Sequence, residues 1–161
     1  MPNWVRNIVS FGDEKVIKEL VNKNEHEIIE FDFNKVIPMP EELDEESDRY
    51  IEKLSIEEKL LFQKEYEGIN DWYDWRIRYW DTKWNASETV VLNKKKVMFD
   101  TAWSAPFKIF RKISEMYHTK VVVRYADEGI MENSGKIIYE DGVEISYTQG
   151  DERFCSRIWN T

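Results

Sequence analysis

Val97-Met98-Phe99-Asp100-Thr101-Ala102-Trp103, running directly into Ser104-Ala105-Pro106 and then Phe107, Phe110, Ile113 and Tyr117, reads as a strand that feeds a helix. The first seven residues are rich in the β-branched and aromatic types that suit a pleated, half-buried surface. The Ser104 hydroxyl is placed to cap free amides, proline is tolerated in a first helical turn, and the later apolar residues recur on one helical face. Lys120 to Ala126 is again strand-like, so the unit is strand, helix, strand. Just upstream, Thr89 to Leu92 is separated from Val97 to Trp103 by Asn93-Lys94-Lys95-Lys96, which suits a hairpin with a charged tip.

The N-terminal part repeats the arrangement. Trp4 to Phe11 reads as a strand ended by Gly12, after which Asp13 can cap a helix with Val16, Ile17, Leu20 and Val21 on one face. In Ile29 to Asn34, apolar Ile29, Phe31 and Phe33 alternate with polar residues, the period of a half-buried strand, and Pro38 and Pro40 stop it. Lys136 to Tyr139 and Val143 to Tyr147 form a further hairpin through Asp141-Gly142. The order is strand, helix, strand, insertion, strand, helix, strand, added hairpin. It predicts an α+β, ferredoxin-like (split βαβ) fold: an antiparallel sheet with two helices on one face, an inserted acidic helical segment and a C-terminal β-hairpin extension.

With 161 residues, 42% of them hydrophobic, the chain suffices for one core, so residues 1–161 are read as a single domain with a helical insertion at about 41–80. Within that insertion Ser55-Ile56-Glu57-Glu58 has the form of a capping box before Leu60, Leu61 and Phe62. The aromatic-dense stretch from Trp72 to Trp84 fits helix and loop equally well. Phe154 and Trp159 give the tail from Thr148 to Thr161 a means of docking.

Net charge is −9, of which the segment from Glu41 to Glu67 contributes −7 through 11 acidic and 4 basic residues. Direct nucleic-acid binding normally needs a basic surface, so this balance argues against it. The acidic segment reads either as a solvated helical face or as a surface that imitates nucleic acid towards a protein that binds it. Apolar runs as short as Val121-Val122-Val123, and the lack of a basic region followed by an apolar block at the N-terminus, give no reason to expect a membrane span or export signal. The lone Cys155 suits a reducing compartment, and the cytoplasm is expected.

Several stretches together resemble the YubB-type ferredoxin-like domain family of bacteriophages and plasmids, also described as phage Api-type proteins with a ferredoxin domain. They are Met1-Pro2-Asn3-Trp4 with Asn7, Phe33 to Pro40 followed by Glu42-Leu43, Trp80 to Ala86, Phe99 to Pro106, and Tyr125 to Gly129. The resemblance covers most of the chain and implies the fold derived above, an origin in a mobile genetic element, and no iron–sulfur cluster. It supplies no biochemical activity. The family usually has glycine where Asp81 stands and proline where Ala105 stands, so the first of these loops is expected to be less sharply turned here.

Catalytic chemistry finds few materials. His26, His118 and Cys155 are far apart in sequence and lack zinc-ligand spacing. Asp81, Asp100, Asp127 and Glu128 offer the oxygen ligands that magnesium prefers, but a strongly charged surface supplies such groups by chance. Ser104 with His118 is the one nucleophile–base pair to be drawn, and Ser104 is better employed as a helix cap. There is no Gly-rich phosphate loop. No enzyme activity, cofactor or metal is expected.

The candidate contact residues are Asn3, Trp4, Lys35, Glu41, Glu42, Glu45, Glu46, Trp80, Thr82, Lys83, Trp84, Asn85 and Trp103. If the tryptophan-bearing loops converge, flat rings stand beside Lys35, Lys83, Asn85 and Thr82, a chemistry for stacking and hydrogen bonding. If they do not, the tryptophans are core and the lysines extend outwards from it. The sequence therefore leads to a non-enzymatic interaction protein of phage or plasmid origin. It would inhibit a host defence or DNA-processing complex by binding a host protein through the acidic surface and tryptophan loops. The alternative is a small-ligand or nucleotide-binding domain that uses Lys83, Trp84, Asn85 and Trp103.

Overall fold

The computed structural model describes residues 1–43 and 54–161. Its frame is a six-stranded antiparallel sheet built from β1 (Trp4–Phe11), β4 (Ser87–Asn93), β5 (Lys96–Ala102), β6 (Lys120–Asp127), β7 (Ser134–Glu140) and β8 (Val143–Gln149). The spatial order is β4-β5-β1-β6-β7-β8. The first four of these, with α1 (Lys15–Leu20) after β1 and α4 (Phe107–Met116) between β5 and β6, make the split βαβ arrangement. β1 is central: it pairs with β5 through Val5↔Thr101 and with β6 through Val5↔Asp127.

Strand alternation assigns the two faces. Val5, Val9 and Phe11 of β1 join Val97, Phe99, Val121 and Val123 in the main core, against Val16, Ile17 and Leu20 of α1 and Ile109, Phe110 and Ile113 of α4. Ile8 points the other way and packs with Ala126 and Ile158, the last from α5 (Glu152–Trp159). The two expected helices thus share one face, and the tail adds a third on the opposite face. Trp159 anchors α5 there by donating its Nε1–H to the Ala126 carbonyl at 3.0 Å.

Three local expectations are corrected. The second strand of the split βαβ unit is β4, not Ile29 to Asn34. Only β3 (Ile29–Phe31) is extended there, and it pairs with β2 (Val21–Lys23) in a separate ribbon. Phe31 and Phe33 are both buried, but Phe33 enters the core from a 3-10 turn, Phe33–Lys35, whose Asp32 carboxylate accepts from the Asn34 amide. The alternation read as one strand is a strand followed by a capped turn.

Ser104 does not cap α4. Its hydroxyl donates to the Ala105 carbonyl, and Asp81 reaches across from another element to accept from the Lys108 amide at 3.0 Å. Finally, Asp81 has φ +65°, so the loop that was expected to relax without glycine keeps its left-handed turn.

The aromatic stretch resolves into α3 (Trp72–Trp80), started by the Asp71 carboxylate accepting from the Asp74 amide. α2 (Ile56–Glu65) begins with the capping box at Ser55 and Glu58. Its Ile56, Leu60 and Leu61 side chains are exposed. Among the described residues no helix is long and apolar enough to cross a membrane.

Candidate contact site at the end of the sheet

The tryptophan-bearing loops converge. Trp4 opens β1, Lys83 and Trp84 follow α3, and Trp103 follows β5, so topology brings all of them to one end of the sheet. The Trp4 and Trp84 ring centroids lie 6.0 Å apart. The Lys83 ammonium stands 4.4 Å from the Trp84 centroid, 5.2 Å from that of Trp103 and 5.9 Å from that of Tyr73 on α3. A cation among ring faces is attracted by their quadrupoles, by ~0.5–1 kcal/mol per exposed contact.

Trp103 is the unusual member. Its φ is +63°, a left-handed backbone that costs a non-glycine residue ~1 kcal/mol or more, and its side chain remains 44% exposed. The neighbours enforce this conformation. The Trp103 amide donates to the Asn3 carbonyl at 2.9 Å, and its carbonyl accepts from the Asn133 side chain at 2.9 Å.

Asn133 belongs to the loop after β6, which Asp127 organises. One Asp127 oxygen accepts from the Gly129 and Ile130 amides and the Asn3 side chain, and the other accepts from Asn133. Ile130 and Met131 in this loop are exposed, as is Tyr73. Trp103 therefore stands beside Lys83 on a backbone fixed from several sides.

The remaining predicted residues are placed otherwise. Trp80 is wholly buried, packs edge-on against Phe33 and Trp75, and donates its Nε1–H to the Ile37 carbonyl at 2.8 Å. Thr82 is also buried, with its hydroxyl donated to the Ala102 carbonyl. The Asn85 amide oxygen accepts from the Phe33 and Ala86 amides, and its nitrogen donates to Asp32. These three hold the loops together.

Lys35, Glu41 and Glu42 are exposed on short 3-10 turns, and among the described residues no hydrogen bond or ion pair joins them to the ring cluster. Glu45 and Glu46 lie outside the described residues. The cluster gains Tyr73, which sequence reasoning missed. Tyr73 sat within the stretch of open periodicity.

The carboxylates considered for magnesium are dispersed and engaged. Asp100 forms a two-point pair with Arg6 at 3.0 and 3.2 Å on the α5 face, where the Arg6 guanidinium also lies 4.4 Å from the Trp159 ring centroid. Asp81 faces Lys108, and burial pushes its carboxyl above the usual range while Lys108 pulls it back. Ser104 and His118 flank opposite ends of α4, ~15 Å apart at 1.5 Å rise per residue, too far for proton transfer.

Fold and site together define a ferredoxin-like α+β domain with a cation-centred ring cluster at one end of its sheet. The chain belongs to the family described as the ferredoxin-like domain in Api92-like protein, whose model matches residues 79–161, more than half of its length. That span contains Lys83, Trp84 and Trp103. Among solved structures, the crystal structure of protein Api92 from Yersinia pseudotuberculosis is similar at 14% identity and a TM-score of 0.41. The match covers 53% of this chain and 32% of that one, so this chain spans about a third of the relative's length. Curated proteins give no match.

Proposed function

We propose that this chain is a non-enzymatic protein-binding domain of phage or plasmid origin that acts in the bacterial cytoplasm on a host protein. The observation that carries this reading is Trp103: a large ring, nearly half exposed, on a backbone held in a strained conformation by Asn3 and Asn133. Rigid, partly exposed aromatics with apolar neighbours are the residues that most often anchor protein interfaces. Tyr73 extends the patch, and Lys83 bridges the rings.

The acidic segment that includes Glu41 and Glu42 supports a partner with a basic surface, such as a nucleic-acid-binding or defence protein that the domain inhibits. The resemblance to phage and plasmid domains supports the origin. The nucleotide reading loses support at its proposed pocket, because the Asn85 amide is occupied by Asp32 and Phe33.

The test is affinity capture from a bacterial lysate with the wild-type chain, Trp103→Ala, and a Glu41→Lys/Glu42→Lys double variant. A specific protein retained by the wild type and lost with Trp103→Ala is expected. Identical captures by wild type and Trp103→Ala would remove the proposal.

A further inference from the structure

On the helix-covered face, lined by residues other than those of the ring cluster, a cleft of about 430 Å³ opens between α4 and the outer strands. That volume lies within the range of small-molecule sites, ~300–1,000 Å³. Phe107 and Tyr125 form part of its wall, edge to face at 5.1 Å, and Tyr139, Tyr147, Arg111 and Glu144 complete its working surface.

Three features show a built site. First, a bulge in the β7–β8 pairing sets Tyr139 opposite Glu144 and Ile137 opposite Tyr147. In a regular strand residues three apart face opposite sides, so the extra residue is what turns Glu144 and Tyr147 to the same cleft. Second, Gly135 lies beneath Tyr147: an added Cβ would fall 3.1 Å from the ring and 2.7 Å from the Thr148 carbonyl.

Third, Tyr139 is 2% exposed as a residue, but its hydroxyl, which no hydrogen bond occupies among the described residues, stays reachable from the cleft. A hydroxyl left unoccupied on a cleft wall can donate to a group that enters. The Tyr147 hydroxyl, by contrast, donates to the Gln149 side-chain oxygen at 3.0 Å.

Charge defines what enters. Asp81 and Lys108 face each other and largely cancel. That leaves Arg111, whose guanidinium lies 5.7 Å from the Tyr139 centroid, and Glu144, neither with an ion-pair partner among the described residues. We propose that this cleft binds a small planar aromatic zwitterion, its carboxylate on Arg111 and the Tyr139 hydroxyl, its ammonium on Glu144, and its ring against Tyr147 and Phe107. A phosphate-bearing ligand is disfavoured, because among the described residues it finds one lining cation without an ion-pair partner and meets the Glu144 carboxylate.

The test is a nuclear magnetic resonance titration of the full chain with L-tryptophan as probe, beside glycine, indole and adenosine 5′-monophosphate. Saturable shifts of Tyr139, Tyr147 and Arg111 signals with L-tryptophan are expected, and much weaker ones with glycine or indole, each of which lacks half of the recognised chemistry. Arg111→Gln and Glu144→Gln, both at exposed positions, each weaken binding about tenfold with an unchanged melting temperature. Three results overturn the assignment: no saturable shift up to ~10 mM tryptophan, affinity indifferent to both substitutions, or tighter binding of the nucleotide.

Discussion

The Lys83 ammonium lies nearer to the Trp84 ring, at 4.4 Å, than to Trp103 or Tyr73, so one side chain joins the loop after α3 to the loop after β5. Partly shielded cation–ring contacts are worth ~1–2 kcal/mol together, whereas an exposed lysine without such contacts is near neutral on substitution. Lys83→Met keeps the aliphatic stem and removes the charge. It is expected to cost about 1 kcal/mol in urea unfolding, with Lys83→Arg close to wild type. Equal stability of all three proteins would show that the rings are held without the cation.

The tryptophans divide by burial, and substitution separates them. Trp80 is fully buried with its indole N–H bonded, so Trp80→Ala is expected to cost ~3–5 kcal/mol. Trp103→Ala loses only a half-exposed ring and is expected to cost ~1 kcal/mol or less. Because φ at Trp103 is +63°, Trp103→Gly should be more stable than Trp103→Ala by ~1 kcal/mol. Denaturant midpoints of the three variants check the ranking, and the reverse order for glycine and alanine would argue against the left-handed backbone.

Asp81 combines a left-handed backbone with a carboxyl whose proton affinity is raised, first by burial and against the opposing pull of Lys108. The folded protein therefore holds this proton more tightly than the unfolded chain does. Stability tied to the group is fully present below the unfolded value and is lost as pH rises through the folded one. Asparagine tolerates this backbone, keeps an oxygen for the Lys108 amide and carries no charge to desolvate. Asp81→Asn should raise stability by ~0.5–1 kcal/mol near neutral pH, with the gain fading towards about pH 3. Thermal melts across that range check it; a gain that grows on acidification would reverse the sign.

Much of the frame was legible because β1, β5, α4 and β6 carry their own periodicity and turn chemistry. The strand at Val97 to Ala102 is decided locally, and so is the capping box at Ser55. What failed was decided at a distance. Ser104 loses the capping role to Asp81, a residue more than twenty positions upstream, and Phe33 reaches the core from a turn because Asn85 accepts its amide proton. Convergence of Trp4, Trp84 and Trp103 was readable as a possibility of the topology, since all three stand at strand or helix ends. The strain at Trp103 and the bulge that aims Glu144 depend on hydrogen bonds between segments, which no local pattern announces.

The C-terminal helix adds surface to the fold at small cost in core. α5 is held through Ile158, Trp159 and Phe154 over Ile8, Met98 and Ala126, a patch far smaller than the main core. Gly150 sets its angle of departure: a Cβ there would stand 2.4 Å from the Ser134 hydroxyl and 2.7 Å from the Phe154 ring. Gly150→Ala must therefore shift Phe154 or the end of β8, a change expected to cost ~1–3 kcal/mol. Because the small patch has little to hold α5 once Phe154 moves, the loss should appear as local opening of this helix before the sheet is affected. Amide exchange of Arg157 to Trp159 should accelerate while that of Val121 to Val123 in β6 stays close to wild type. Equal acceleration in both segments would mean that α5 and the sheet unfold as one cooperative unit.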